Sequence, residues 1–255
     1  MTTPRRGGNP QAEREHSRVL LRQGAGETWG WNTPAGRLRV ARRCAWMTEA
    51  LGLKPGMRVL ECGCGTGIFT RGMAGGGAEI TAVDIAQDLL AEAARLTDAP
   101  NVRFLEDDLE RPAHLGPESF DAVYGVSVLH HLDLPAALAA LGRVLKPGAR
   151  FAFSEPNIAN PINRYYLYVD DVDKRRARGQ SPNEMAFTRA ELGRTLAEHG
   201  FVPEVLDHRD FMHPAFPEAL LPLVSMVERA AEALPLVRRI SGSLWAAGTY
   251  RPAQA

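Results

Sequence analysis

Val59-Leu60-Glu61-Cys62-Gly63-Cys64-Gly65-Thr66-Gly67-Ile68-Phe69-Thr70 is an apolar run that ends in an acid and then places three glycines in five residues. The pattern predicts a buried strand, a tight turn and a helix start. Glycine at alternate positions opens backbone conformations closed to other residues and lets a ligand approach main-chain N–H groups with no Cβ in the way. The loop therefore reads as a nucleotide cradle. A dinucleotide fingerprint needs a third glycine three residues after the second. Counted from Gly63 that position is Ile68, and counted from Gly65 it is Thr70, so the spacing argues against NAD.

Outward from this stretch, composition sets the limits. The chain has 255 residues, with Lys+Arg and Asp+Glu both at 30, enough for one large α/β domain. No basic excess drives phosphate-backbone binding, which disfavours nucleic acid as a partner. No window is apolar for the length of a membrane span, and Met1–Gln11 lacks the apolar core of a signal peptide. The expectation is a soluble, cytoplasmic protein with no stable membrane insertion. Cys44, Cys62 and Cys64 read as small packing residues, too few for a structural zinc site.

In chain order, residues 1–11 form a polar tail and 12–52 an N-terminal helical segment. Ala12–Gln23 has helical spacing, a glycine-rich stretch with Trp29 and Trp31 interrupts it, and Thr33-Pro34 opens a second helix that Gly52 closes. The two tryptophans either pin a loop or form a lid over a flat or cationic ligand. After the glycine loop come a short helix, Phe69–Met73, and a strand, Glu79–Ile85, containing Asp84. A carboxylate at that strand tip suits a ribose, or it caps the next helix. Strands at 102–105 and 120–126 follow, then a helix over 135–145 that Lys146-Pro147-Gly148 stops, and a strand at 149–154. Alternating strands and helices mean a parallel sheet covered on both faces, with ligands at the carboxyl ends of the strands.

The sequence resembles the class I S-adenosylmethionine-dependent methyltransferases that act on small molecules and lipids. The resemblance rests on Glu61-x-Gly63-x-Gly65-x-Gly67, Asp84, Asp108-Leu109, Phe120-Asp121-x-Val123 leading to His130-His131-Leu132, and Leu145-Lys146-Pro147-Gly148, and covers about residues 55–155. It implies a Rossmann-like, doubly wound seven-stranded α/β sheet, mostly parallel with an antiparallel last strand, over 53–255. Residues 202–211 and 243–250 would form its edge hairpin. It also implies that Glu61, Gly63, Cys64, Gly65 and Gly67 hold the methionine moiety of S-adenosylmethionine, that Asp84 with Ile85 takes the ribose, that Asp108 with Leu109 takes the adenine, and that the carbonyl near Val126 helps hold the amino group. The departure from the family is the helix after the loop, which is short and runs into Gly75-Gly76-Gly77.

Two segments would shape the acceptor site: an insertion at 157–187 and a helical cover at 212–240. Trp29, Trp31, Glu155, Asn157, Tyr165 and Tyr168 are candidates for touching a small-molecule acceptor. Asp170, Asp171 and Asp173 sit among cations and read as a salt-laced helix face, so no metal site is expected. In 212–240, Glu218, Glu228 and Glu232 argue against attraction to anionic lipid. His131 and His130, just past the fourth strand, are the candidate general bases. A non-methylating S-adenosylmethionine-binding protein on the same fold is the alternative, with an NAD-dependent oxidoreductase behind it.

Overall fold

A computed structural model describes residues 9–168, 171–177, 180–181 and 184–252. The helix-start and helix-stop signals act where the sequence places them. α1 (Pro10–Gln23) and the single-turn α2 (Ala25–Thr28) precede α3 (Pro34–Leu51), whose Thr33 side chain accepts from the Gly36 N–H and whose end is Gly52 at φ 61°. Seven strands follow: β1 (Arg58–Cys62), β2 (Glu79–Asp84), β3 (Val102–Glu106), β4 (Phe120–Val126), β5 (Leu145–Pro156), β6 (Phe201–Arg209) and β7 (Ser243–Tyr250). Between them lie α4 (Ile68–Ala74), α5 (Gln87–Leu96), α6 (Leu134–Val144), α7 (Pro161–Tyr168), α8 (Val172–Ala177), α9 (Arg189–Glu198) and α10 (Leu221–Ala233).

The strands form one sheet in the order β3-β2-β1-β4-β5-β7-β6. β1 to β5 are mutually parallel, whereas β7 runs antiparallel to both β5 and β6. Right-handed crossovers from a central β1 produce this order and leave a crevice where the winding reverses, between β1 and β4. β5 starts earlier than its hydrophobic run suggests: Leu145 pairs with Phe120, then the register shifts so that the next pair is Ala122 with Arg150. Lys146-Pro147-Gly148 therefore makes an irregularity within the strand as well as a stop for α6.

The period of two along each strand divides the core. Leu60, Cys62, Val123, Phe151 and Phe153 pack on one face with Leu138, Leu141 and Leu192. Val59, Ile80, Ala82, Tyr124 and Ala152 pack on the other with Met47, Leu51 and Met73. On that second face a Cβ at Gly72 would stand 2.5 Å from the Cys44 sulfur; the bare glycine lets the short α4 lie close against α3. The same parity puts Glu61 opposite Tyr124 in the register, on the α3 and α4 side.

Candidate functional site

The carboxyl ends of β1, β2 and β4 open into a cavity of about 440 Å³. Its floor is the glycine loop. Gly63, Gly65 and Gly67 all have positive φ, at 62°, 53° and 73°, a region that other residues enter only at a cost. A Cβ on Gly63 would also stand 2.4 Å from a Val128 methyl. Gly63, Cys64 and Gly65 line the cavity, with the Trp29 ring standing over Gly65. Gly67 is absent from the wall and instead starts α4.

Asp84 is buried at the tip of β2 and faces the cavity. Its Oδ2 accepts from the Gly65 N–H at 2.8 Å and its Oδ1 from the Ala86 N–H at 2.9 Å. Burial raises its pKa, against the lowering effect of these hydrogen bonds. Asp84 fixes the turn ahead of α5 without capping it, since the N-cap Ala86 has no side-chain cap bond; a carboxylate has about four acceptor positions, so each oxygen keeps capacity for a hydroxyl. Ile85, Asp108, Leu109 and Val126 line the same cavity. The neighbouring Asp107 staples the adenine-side loop, accepting from the N–H groups of Asp108, Ala113 and His114 at 3.0, 2.9 and 2.8 Å. A bare-backbone loop, a ribose-height carboxylate and an acid-bearing third loop, all facing one cavity, fit an adenosyl cofactor.

Glu61 departs from its expected place. It is absent from the cavity wall and lies behind the loop, where Oε2 accepts from the Tyr124 hydroxyl at 2.9 Å. Burial pushes its pKa up to about 7. In this structure it links β1 to β4 beneath the loop.

The two histidines separate sharply. His130 is 2% exposed, with Nδ1 at 2.7 Å from Glu155 Oε2 and Nε2 at 3.5 Å from Glu184 Oε1. Burial alone would lower its pKa, but hydrogen bonds and charge from the two carboxylates raise it to about 10. His130 lines the cavity, but both its ring nitrogens are turned to carboxylates, which favours the protonated ring and a supporting role. Glu155 serves as its anchor, also accepting from the N–H groups of Val128, Leu129 and His130. His131 is half-buried on the cavity wall, its Nδ1 3.0 Å from Ser181 Oγ and 3.6 Å from Glu13 Oε1. Both oxygens lie on the Nδ1 side of the ring. His130, His131 and Glu184 bring donor atoms within 4.8 Å of one another, with His130 Nδ1 already 2.7 Å from Glu155.

Of the expected acceptor contacts, Trp29 and Trp31 line the cavity, while Glu155, Asn157, Tyr165 and Tyr168 do not. The Asn157 amide donates to the Arg239 and Ser241 carbonyls and is a buried brace. Tyr165 and Tyr168 point outward, Tyr168 being 60% exposed. Their neighbour Asn163 reaches the wall instead, as do Gln180 and Glu184 from the insertion. No residue of 212–241 lines the cavity, so that segment is not its cover. Asp170 lies outside the described residues; the Asp171 carboxylate contacts Lys174 at 3.4 Å.

Unanticipated from the sequence are Arg39 and Arg43, which line the cavity from α3. Both guanidinium groups stand over the Trp31 ring, at 4.8 and 5.4 Å, and both bind the buried Asp210. The charge of the two arginines holds the Asp210 carboxyl well below the usual range despite its burial. Their i, i+4 spacing was the available signal, but their acid lies 171 and 167 residues away.

Residues 60–153 match the model of a methyltransferase domain family. The ubiquinone biosynthesis O-methyltransferase of Pseudomonas fluorescens is 36% identical over 130 residues, which cover 50% of this chain and 54% of that protein. The match thus spans about half the length of that relative. Among solved structures, one in the complex between the Haloferax volcanii Trm112 methyltransferase activator and a putative methyltransferase is similar with a TM-score of 0.66. It is 18% identical, over 95% of this chain and 99% of that one. A putative S-adenosylmethionine-dependent methyltransferase from Listeria monocytogenes gives 0.62 at 21% identity, over 84% and 99%. These likenesses are of fold. The matched segment builds β1 to β5 with the loops that face the cavity, and over it the chain is similar to methyltransferase domains.

Proposed function

We propose that the protein transfers a methyl group from S-adenosylmethionine to a hydroxyl oxygen of a small, flat, quinone-like or lipid-like acceptor. The observation that carries this reading is that Asp84 and His131 line one and the same cavity. One is suited to a ribose and the other to a hydroxyl proton. The cofactor supplies a methyl group already activated on a sulfonium. The protein therefore has to align it with the acceptor oxygen, a proximity effect. Asp84 and the glycine loop orient the nucleoside, Asp108 and Leu109 face its base, and Trp29 and Trp31 provide flat apolar walls.

An un-ionised hydroxyl needs a base. His131 Nε2 takes the proton, while Ser181 and Glu13 keep the other nitrogen protonated. His130, held as a cation between Glu155 and Glu184, sets the position of its neighbour, whose ring centroid is 4.1 Å away. The name of the O-methyltransferase relative supports oxygen as the acceptor atom. The test is turnover against a panel of catechols, amines and carbon acids with methyl-labelled cofactor. Label in catechol methyl ethers is the expected result; label in amines alone would replace oxygen with nitrogen.

A further inference from the structure

Helix α10 is amphipathic the wrong way round. Its inward stripe is Leu221, Val224, Glu228 and Glu232; both glutamates are buried. Glu228 accepts from the Phe211 and Met212 N–H groups and pairs with Arg42 at 2.8 Å. Glu232 accepts from the Asp210 N–H at 2.8 Å and also pairs with Arg42. The outward stripe is apolar. Leu223, Met226, Val227 and Leu234 are each more than half exposed, and the following turn adds Leu236, 74% exposed, and Ile240. A helix in water normally turns such a stripe inward, and a contiguous apolar patch of this kind marks an interaction surface.

The charge around the patch identifies what covers it. Segment 212–240 has three acids and three arginines, but two of the acids face the protein. Outward, Glu218 is the remaining acid, against Arg229 and Arg239, with Arg238 at 3.7 Å from Asp207. The exposed acids expected to repel anionic lipid are therefore mostly withdrawn. A symmetric contact with a second copy would bring like-charged arginines together in an apolar interface, at a desolvation cost. An anionic bilayer surface instead takes the apolar side chains into its headgroup boundary and pairs the arginines with lipid phosphates. The patch also adjoins the cavity rim. Asn160 Nδ2 donates to the Ile240 carbonyl and Asn163 Nδ2 to the Gly242 carbonyl, each over about 2.9 Å, and Asn163 and Gly242 line the cavity.

We propose that the outward face of 220–240 docks the protein reversibly on anionic membrane surfaces, beside the cavity mouth. The inference stands on the surface alone and does not depend on the reaction. Flotation of the full chain with phosphatidylcholine vesicles containing about one part in three of phosphatidylglycerol tests it, with pure phosphatidylcholine as control. The wild type should float with the anionic vesicles and not with the control. Arg229→Gln and Arg239→Gln should each weaken binding about fivefold. The triple variant Leu223→Ser, Met226→Ser, Leu236→Ser should weaken it by roughly tenfold or more at an unchanged melting temperature, since all three side chains are exposed. No flotation with anionic vesicles, or equal flotation of the triple variant, would overturn the proposal. So would a dimer by light scattering that the triple variant abolishes, which would make the face a self-interface.

Discussion

Replacing Asp84 by asparagine keeps the shape of the side chain and changes what it can accept. Each carboxylate oxygen now takes one backbone N–H, from Gly65 at 2.8 Å and Ala86 at 2.9 Å. An amide has one acceptor oxygen, so in Asp84→Asn its NH₂ must face one of those two donors. The turn loses a bond, and a bound ribose meets a neutral group in place of a charged acceptor. A hydrogen bond to a charged group contributes about 1.5–3 kcal/mol, so the cofactor Kd should rise roughly 10- to 150-fold. The loop contribution separates out by thermal melting without ligand, where the loss should be about 1–2 kcal/mol, because removing a desolvated charge offsets part of the lost bond. Calorimetric titration with S-adenosylhomocysteine reads the first quantity. A Kd within twofold of wild type, in a variant that still unfolds in one cooperative transition, would show that the ribose does not sit at Asp84.

Four further outcomes follow from the same geometry. Gly63→Ala combines a positive φ with a contact of 2.4 Å to Val128 and should cost about 2–4 kcal/mol in denaturant unfolding, whereas Gly52→Ala, with open space around its Cβ, should cost only the backbone strain. Asp210→Ala leaves Arg43 buried without its acid and should destabilise by about 3–5 kcal/mol; because the folded pKa of Asp210 is depressed, the stability it gives is present above about pH 4 and is lost as pH falls below that. Glu61 has the opposite sign: with its pKa raised to about 7, the folded state binds the extra proton between about pH 4.3 and 7, so stability declines as pH rises through that window by roughly 4 kcal/mol, and Glu61→Gln should flatten the decline. For the histidines, His131→Ala should lower kcat with the melting temperature and cofactor affinity kept, while His130→Ala should lower the melting temperature by stranding Glu155 and Glu184; a His131 variant of full turnover would assign the proton to another group.

What was legible in the sequence is what short range controls. Thr33-Pro34 and Gly52 bound a helix because caps satisfy backbone groups within a turn. The convergence of the glycine loop, the tip of β2 and the acidic run after β3 on one cavity was readable because each is a contiguous segment. The acceptor side is assembled over long separations. Arg39 and Arg43 gain their meaning from Asp210, and His130 differs from His131 only because Glu155 and Glu184 converge on one ring and not the other. Glu61 was assigned by its position before the glycines, yet strand parity turns it towards Tyr124. In α10 the pattern of apolar residues pointed inward by rule, and Arg42, almost two hundred residues away, reverses it by claiming Glu228 and Glu232.

The proposed function requires that this cavity hold S-adenosylmethionine and pass its methyl group to an oxygen. Incubation of the purified protein with methyl-labelled S-adenosylmethionine and a reduced, quinone-related catechol, followed by mass spectrometry of both products, tests it most directly. Labelled methyl ether and S-adenosylhomocysteine should form in equal amounts, with Asp84→Asn shifting the cofactor dependence and His131→Ala lowering the rate. A cofactor that binds but keeps its label while an acceptor is still transformed, or a protein that binds NAD and no adenosylmethionine, would contradict it.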